Sequence, residues 1–231
     1  MTKIAIMGAM EEEIEPLLAH FDKVNVVEFA NNKYYEVNYK GLDIVIAYSK
    51  IGKVFASLTA ATMIEKFACD TLLFSGVAGG INPELKIGDL IIADKLCQHD
   101  LDITAFGHPN GYVPGGSVFV ETTESLRNIA KEVAKENDLK VIEGTIATGD
   151  QFVHSSERKE FIETTFNADA LEMEGASVAV VCDSLNVPFF ILRAISDSAD
   201  GGADIDFDEF LKSSAVNSAN YMIKIVDKLI D

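Results

Sequence analysis

Two adjoining stretches, GKVFASLTAATMIEKF at residues 52–67 and DTLLFSGVAGG at residues 70–80, decide the fold. The first places apolar side chains at Val54, Leu58, Ala61 and Ile64, the spacing of a helix. The second reads as a buried strand from Asp70 to Ser75 that runs into Gly76-Val-Ala-Gly-Gly80. Leu42 to Tyr48, just upstream, is β-like, so the unit reads strand, helix, strand. Working outward, Lys3 to Met7 is a short strand and Glu11 to Phe21 a helix. Val24 to Phe29 and Tyr34 to Tyr39 are short strands, punctuated by Asn31-Asn32 and Lys40-Gly41. Downstream, strands are expected at Asp89–Ala93, Val141–Thr148, Ala168–Glu172 and Pro188–Ile195. Helices are expected at Glu121–Asn137, Ser155–Thr165, Gly175–Leu185 and Phe207–Ile230, the last capped by Asp206 with Glu209 completing a capping box. Residues 100–120 are irregular, as a binding loop or lid would be. The alternation implies an α/β fold: a mixed, largely parallel sheet with helices on both faces. With no repeat or linker, the chain is expected to be a single domain, 1–231.

Composition narrows the function. The net charge is −18, with only three arginines, Arg127, Arg158 and Arg193. A polyanion is repelled by such a field, so neither nucleic acid nor an acidic membrane surface is an expected partner. No apolar run is long enough to span a bilayer, and the start of the chain has no secretory pattern. Cys69, Cys97 and Cys182 form no CxxC pair and no zinc spacing, as expected of reduced thiols in a cytoplasmic protein. The histidines His20, His99, His108 and His154 lack metal spacing, and neither a metal nor a cofactor is expected, although His99-Asp100 with Asp102 mimics a ligand set.

In α/β sheets, ligands gather at the carboxyl ends of strands. The strand ends here are polar or Gly-rich: GAMEEE (residues 8–13), SKIG (49–52), SGVAGG (75–80), GDQFV (149–153), EME (172–174) and RAISD (193–197). Each has an ordinary structural explanation as well as a functional one. Gly76–Gly80 serves either as a tight turn or as a close approach to a ligand. Glu11, Glu12 and Glu13 all complement a helix dipole, and periodicity cannot select one of them for the cleft. Glu172 and Glu174 cap a helix or accept a ribose diol. Arg193 and Asp197 form an ion pair, or Asp197 is a carboxylic acid held protonated in an apolar cleft.

As an ordered set, GAMEEEI, SKIGKV, SGVAGG, TAFG, TGDQFV, EMEGASV and RAISDSAD resemble the 5′-methylthioadenosine/S-adenosylhomocysteine nucleosidases of the nucleoside phosphorylase superfamily. The resemblance spans essentially the whole chain. It implies a three-layer αβα sandwich around a mixed sheet, a homodimer, and hydrolysis of 5′-modified adenine nucleosides to release adenine. It also implies roles for single residues. Glu13 is the base that activates water and Asp197 the acid that protonates purine N7. Glu174 binds the ribose hydroxyls, with Met173 against the sugar. Phe152 packs on adenine, and Val153 contacts it through the backbone. Ala78 and Gly79 form a wall near base and sugar. Met10 and Ile51 line the 5′ side, Ile103, Phe106 and Pro114 come from the neighbouring subunit, and Phe207 is a lid residue. Many relatives carry Ser where this chain has Val77, a hydroxyl that helps hold the attacking water; here Arg193 and Ser196 are expected to take more of that task. The segment His99–Pro109 and GDQFVHS resemble a branch that also cleaves 6-amino-6-deoxyfutalosine. The chemistry calls for such groups: protonating the base neutralises the leaving group, while a carboxylate across C1′ activates water and stabilises an oxocarbenium-like sugar. The competing readings are a phosphate-dependent phosphorylase, which needs cations or a cradle of N–H groups, and a silent nucleoside-binding domain.

Overall fold

Strand β1 (Lys3–Gly8) shows how the sheet is seated. Ala5 and Met7 join one apolar cluster, and Ile4 and Ile6 join another on the opposite face. A strand covered on both sides needs such an unbroken apolar run. The structure, a computed structural model, describes residues 3–199 and 203–230. β1 pairs in parallel with β4 (Leu42–Tyr48) and β5 (Thr71–Gly80). Beyond β4 the sheet continues antiparallel through β3 (Asn32–Tyr39) and β2 (Asn25–Phe29). Helices α1 (Glu11–Leu18), α3 (Glu124–Glu136) and α6 (Ala203–Ile230) cover one face, with Ile14, Leu17, Val133, Met222 and Val226 in its core. Helices α2 (Lys53–Glu65) and α5 (Gly175–Leu185) cover the other, through Ala60, Met63, Val178 and Cys182.

The mixed α/β architecture agrees with expectation, but parallel pairing does not dominate. Among the described residues five strand pairings are parallel and five antiparallel. On the far side of β5, the sheet closes on itself rather than ending in an open edge. β5 pairs with β10 (Phe189–Asp197), β10 with β6 (Leu90–Gln98), β6 with β8 (Val141–Thr148), β8 with β9 (Ala170–Glu172), and β9 returns to β5. This barrel-like closure removes strand edges and brings several carboxyl ends to one rim.

Four local expectations change. Gly76–Gly80 is not a turn; it is the last half of β5. β6 runs past Ala93 to Gln98 through a register shift opposite β8, and the irregular 100–120 segment holds a 3-10 turn at Thr104–Phe106 and a short strand β7 (Phe119–Glu121) paired to β6. α6 begins at Ala203, so Asp206 lies within it and its side chain falls outside those described. On α2 the buried side chains are Ala56, Thr59, Ala60, Thr62, Met63 and Ile64, while Val54 and Leu58 face outward. That helix is apolar nearly all round, and periodicity cannot choose the inward face in such a case. No helix of the described residues is long and apolar enough to cross a membrane.

Candidate active site

A cleft of about 280 Å³ opens on the rim where β1, β5, β8, β9 and β10 end. Its wall includes Met10, Glu13, Ile51, Val77, Ala78, Gly79, Phe152, Val153, Met173, Glu174, Ser196, Asp197 and Phe207. Most of the candidates from the sequence therefore meet at one place. Among the described residues, the charged side chains of that wall are carboxylates: Glu13, Glu172, Glu174 and Asp197.

Glu13 is the member of the Glu11–Glu13 run that turns inward; it is 3% exposed. It sits in the first turn of α1 and reaches back to the chain preceding the helix. Its Oε2 accepts the N–H groups of Ala9 at 2.5 Å and Met10 at 3.1 Å, and its Oε1 accepts the N–H of Val77 at 3.0 Å. Burial raises its pKa above the ordinary 4.5, against the pull of Arg193 and the three N–H donors. The carboxylate lies directly on Gly76, where a built Cβ would stand 2.7 Å from Oε1.

Asp197 ends β10, where the register against β5 shifts between Ile195 and Asp197. Its Oδ2 accepts the hydroxyl of Ser196 at 2.9 Å and its Oδ1 the N–H of Ala199 at 2.8 Å. Ala199 itself takes a left-handed φ of 52°. A Cβ on Gly79 would stand 2.7 Å from Asp197 Oδ1. Gly76 and Gly79 of the SGVAGG segment are thus seats for two acidic side chains.

Glu174 immediately precedes α5, and its Oε1 accepts the N–H of Gly52 at 2.8 Å. Its pKa is pushed up to about 8, by burial first and by the neighbouring Glu172 carboxylate second. Glu172 takes the helix-capping role: its Oε2 accepts the N–H groups of Glu174 at 3.2 Å and Gly175 at 2.7 Å. It also accepts the Thr148 hydroxyl at 2.5 Å and the Arg193 guanidinium at 2.8 Å.

Arg193 is therefore not a lining residue. It is 1% exposed, donates to the carbonyls of Phe74 and Leu192, and lies with its guanidinium carbon 4.0 Å from the Phe74 ring centre. The ion pair it makes is with Glu172, because a buried carboxylate without a cation would be costly there. Ser196 donates to Asp197 and to the Ala78 carbonyl. Both residues serve protein partners, and Val77 serves the cleft through its N–H on Glu13.

Phe152 and Phe207 meet edge to face, 5.6 Å apart, on the cleft wall. Val153 is buried beneath, packed with Ile162 and Leu171. Ile103, Phe106 and Pro114 are absent from this chain's own lining; Phe106 is 81% exposed. Ala9, Gln151, Leu171 and Glu172 line the cleft without having been chosen from the sequence. Of these, only Glu172 carried a signal, its pairing with Glu174 across Met173.

Residues 3–231 match the family described as the phosphorylase superfamily. An aminodeoxyfutalosine nucleosidase of Campylobacter jejuni is 58% identical over 99% of this chain and 100% of its own length. A 5′-methylthioadenosine/S-adenosylhomocysteine nucleosidase of Geobacillus is 39% identical, covering 98% of this chain and 99% of its own. The solved structure of a futalosine hydrolase of Helicobacter pylori superposes with a TM-score of 0.97 at 50% identity, covering 98% of both chains.

Proposed function

We propose that this chain, which belongs to the phosphorylase superfamily and within it to the 5′-methylthioadenosine/S-adenosylhomocysteine nucleosidases, hydrolyses the C1′–N9 bond of 5′-modified adenine nucleosides in this cleft, with Glu13 as base and Asp197 as acid. The observation that carries the reading is the pair of buried carboxylates seated on Gly76 and Gly79 of one strand. Both carboxylates line one cleft, as the acid and the base of inverting glycoside hydrolysis flank a sugar and its attacking water.

Glu13 takes a proton from water and faces the positive charge that develops on the sugar. Its raised pKa makes it a stronger base than an exposed glutamate. Asp197 gives a proton to N7 as the bond to C1′ breaks, so adenine leaves neutral. Glu174 accepts the ribose hydroxyls, Met173 covers the sugar, and Phe152 stacks on the base beside the Val153 backbone, with Phe207 closing over it. Met10 and Ile51 line the 5′ side. A carboxylate-lined cleft repels phosphate, which favours water over a phosphorylase reaction.

The substrate set on this reading is 5′-methylthioadenosine, S-adenosylhomocysteine and 6-amino-6-deoxyfutalosine. The 58% identity to an aminodeoxyfutalosine nucleosidase, against 39% to a methylthioadenosine nucleosidase, supports including the third. The chain works as a homodimer in which Ile103, Phe106 and Pro114 complete the partner's 5′ pocket. The outward apolar row of Val54, Phe55 and Leu58 supports that pairing. Helices on both sheet faces support the three-layer αβα description, and three buried free thiols suit the cytoplasm. The test is Asp197→Asn. Adenine release should fall by about 10²- to 10⁴-fold while nucleoside binding persists. Near-normal release removes Asp197 from the acid role, and a requirement for phosphate with ribose 1-phosphate as product overturns the hydrolytic reading.

A further inference from the structure

The loop after β8, residues 149–153, carries Phe152 and Val153 to the cleft, and the side chains that fasten Asp150 lie outside the cleft. Gly149 donates its N–H to the Glu172 carbonyl at 3.1 Å and packs on His99 so closely that a Cβ would stand 2.4 Å from the imidazole ring. Asp150 is tied twice. Its N–H donates to Asp100 Oδ2 at 2.8 Å, and its Oδ1 accepts the N–H of Lys53 at 2.8 Å. Lys53 closes the circuit, with Nζ donating to Asp100 Oδ1 at 2.7 Å and to Gln98 Oε1 at 3.1 Å. The Lys53 and Asp100 side chains are partly buried, 18% and 15% exposed, while Asp150 itself is exposed.

The adjoining amide gives the circuit its reach. Gly52, one residue before Lys53, donates its N–H to Glu174. It adopts a left-handed φ of 100°, and a Cβ there would stand 3.0 Å from Asp150 Oδ1. Two successive amides at the start of α2 thus hold the sugar-side carboxylate and the base-side loop. None of Lys53, Asp100 and Asp150 lines the cleft.

We infer that Lys53 and Asp100 are positioning residues, which set the base-side loop relative to the sugar-side carboxylate through Asp150. The inference rests on the nucleosidase reading. The ordinary alternative is a surface ion pair of little consequence. The two differ in which constant they move. A misplaced base loop weakens contacts made equally in ground and transition states, so KM and the dissociation constant for adenine rise together while kcat holds. A structural pair moves only the melting temperature.

The experiment measures adenine affinity by calorimetry, and KM and kcat for 5′-methylthioadenosine, in wild type, Asp100→Ala, Asp100→Asn and Lys53→Met. Asp100→Ala should weaken adenine about tenfold, the loss of one charge-assisted hydrogen bond, and raise KM in parallel. Asp100→Asn, which keeps an acceptor for the Asp150 N–H, should recover part of that loss. Lys53→Met supplies the comparison if Asp100→Ala fails to fold. Unchanged adenine affinity in folded variants overturns the inference, and so does a loss confined to kcat. If wild type binds adenine but releases none from nucleosides, the nucleosidase reading fails, while the adenine titrations still decide the positioning role.

Discussion

Gly76→Ala tests the seat under Glu13. An ideal Cβ at that position meets Oε1 at 2.7 Å, Cδ at 3.1 Å and Oε2 at 3.2 Å, where ordinary contact begins at 3.4 Å. The carboxylate must retreat by about 0.7 Å, with the backbone of β5 at Gly76 held against Arg193 of β10. Retreat stretches the 3.0 Å bond from Val77 N–H, and the bonds from Ala9 and Met10 hold the other oxygen in place. A displacement approaching 1 Å in a catalytic group lowers turnover by up to about 10²-fold. Losing one charge-assisted hydrogen bond lowers stability by roughly 1.5–3 kcal/mol. The assay is adenine release with kcat and KM separated, run beside thermal unfolding. Gly80→Ala is the control: its Cβ would meet Ile195 Cγ2 at 3.3 Å and touch neither carboxylate side chain, so kcat should change little. If Gly76→Ala folds and keeps kcat within about twofold, Glu13 is not held where the proposed chemistry needs it.

Gly79→Ala presses on Asp197 Oδ1 at 2.7 Å and should lower kcat similarly, read in the same assay. Glu174→Gln should weaken nucleoside binding yet raise stability at alkaline pH. The folded pKa of Glu174, about 8, lies above its ordinary 4.5, so folding favours the protonated form. The penalty for ionising it is absent below 4.5 and grows as pH climbs to 8; unfolding temperatures of wild type and variant should diverge over that window and converge at acid pH. Because burial raises the Glu13 pKa, the acid limb of the kcat/KM profile should fall above pH 4.5, and Glu13→Gln should abolish it along with most activity. Cys69, Cys97 and Cys182 are buried with thiols pushed up to about 12, so a thiol reagent at pH 7 should label them only as fast as the protein opens, and rapid labelling of folded protein would contradict that burial.

The order of strands and helices was legible because central strands carry unbroken apolar runs and Gly or Asn punctuates the turns between them. The location of the cleft was legible too, since polar residues collect where strands stop. What the local pattern left open were choices between chemically equal neighbours, and among the three glutamates only the family resemblance singled out Glu13. Glu11, Glu12 and Glu13 differ only in helix phase, and phase is set by the packing of Ile14 and Leu17, which a run of three identical residues does not display. The outward row of α2 was hidden by the opposite condition, apolar residues on every side. The partner of Arg193 was also out of reach. Asp197 is four residues away in sequence, but Glu172 arrives on β9 through closure of the strand ring. That closure depends on long-range pairing, which local alternation does not record.

Closure also explains the electrostatics of the cleft. Bringing β1, β5, β9 and β10 to one rim gathers four carboxylates, and one buried guanidinium stands against them. Arg193 is committed to Glu172, whose oxygens also hold the start of α5, so this pair fixes the backbone on which Glu174 stands. Glu13 and Glu174 are left with neutral donors, and burial lifts both pKa values. Carboxylates crowded in this way destabilise the empty fold, and they do so most when all are ionised. On the proposed chemistry Asp197 carries the proton it donates and Glu172 is paired with Arg193, so the positive charge of an oxocarbenium-like sugar is met chiefly by the base Glu13, and the neutral nucleoside offers no such charge. That attraction is differential binding of the transition state. Removing Glu174 should accordingly strengthen the fold and weaken the reaction together.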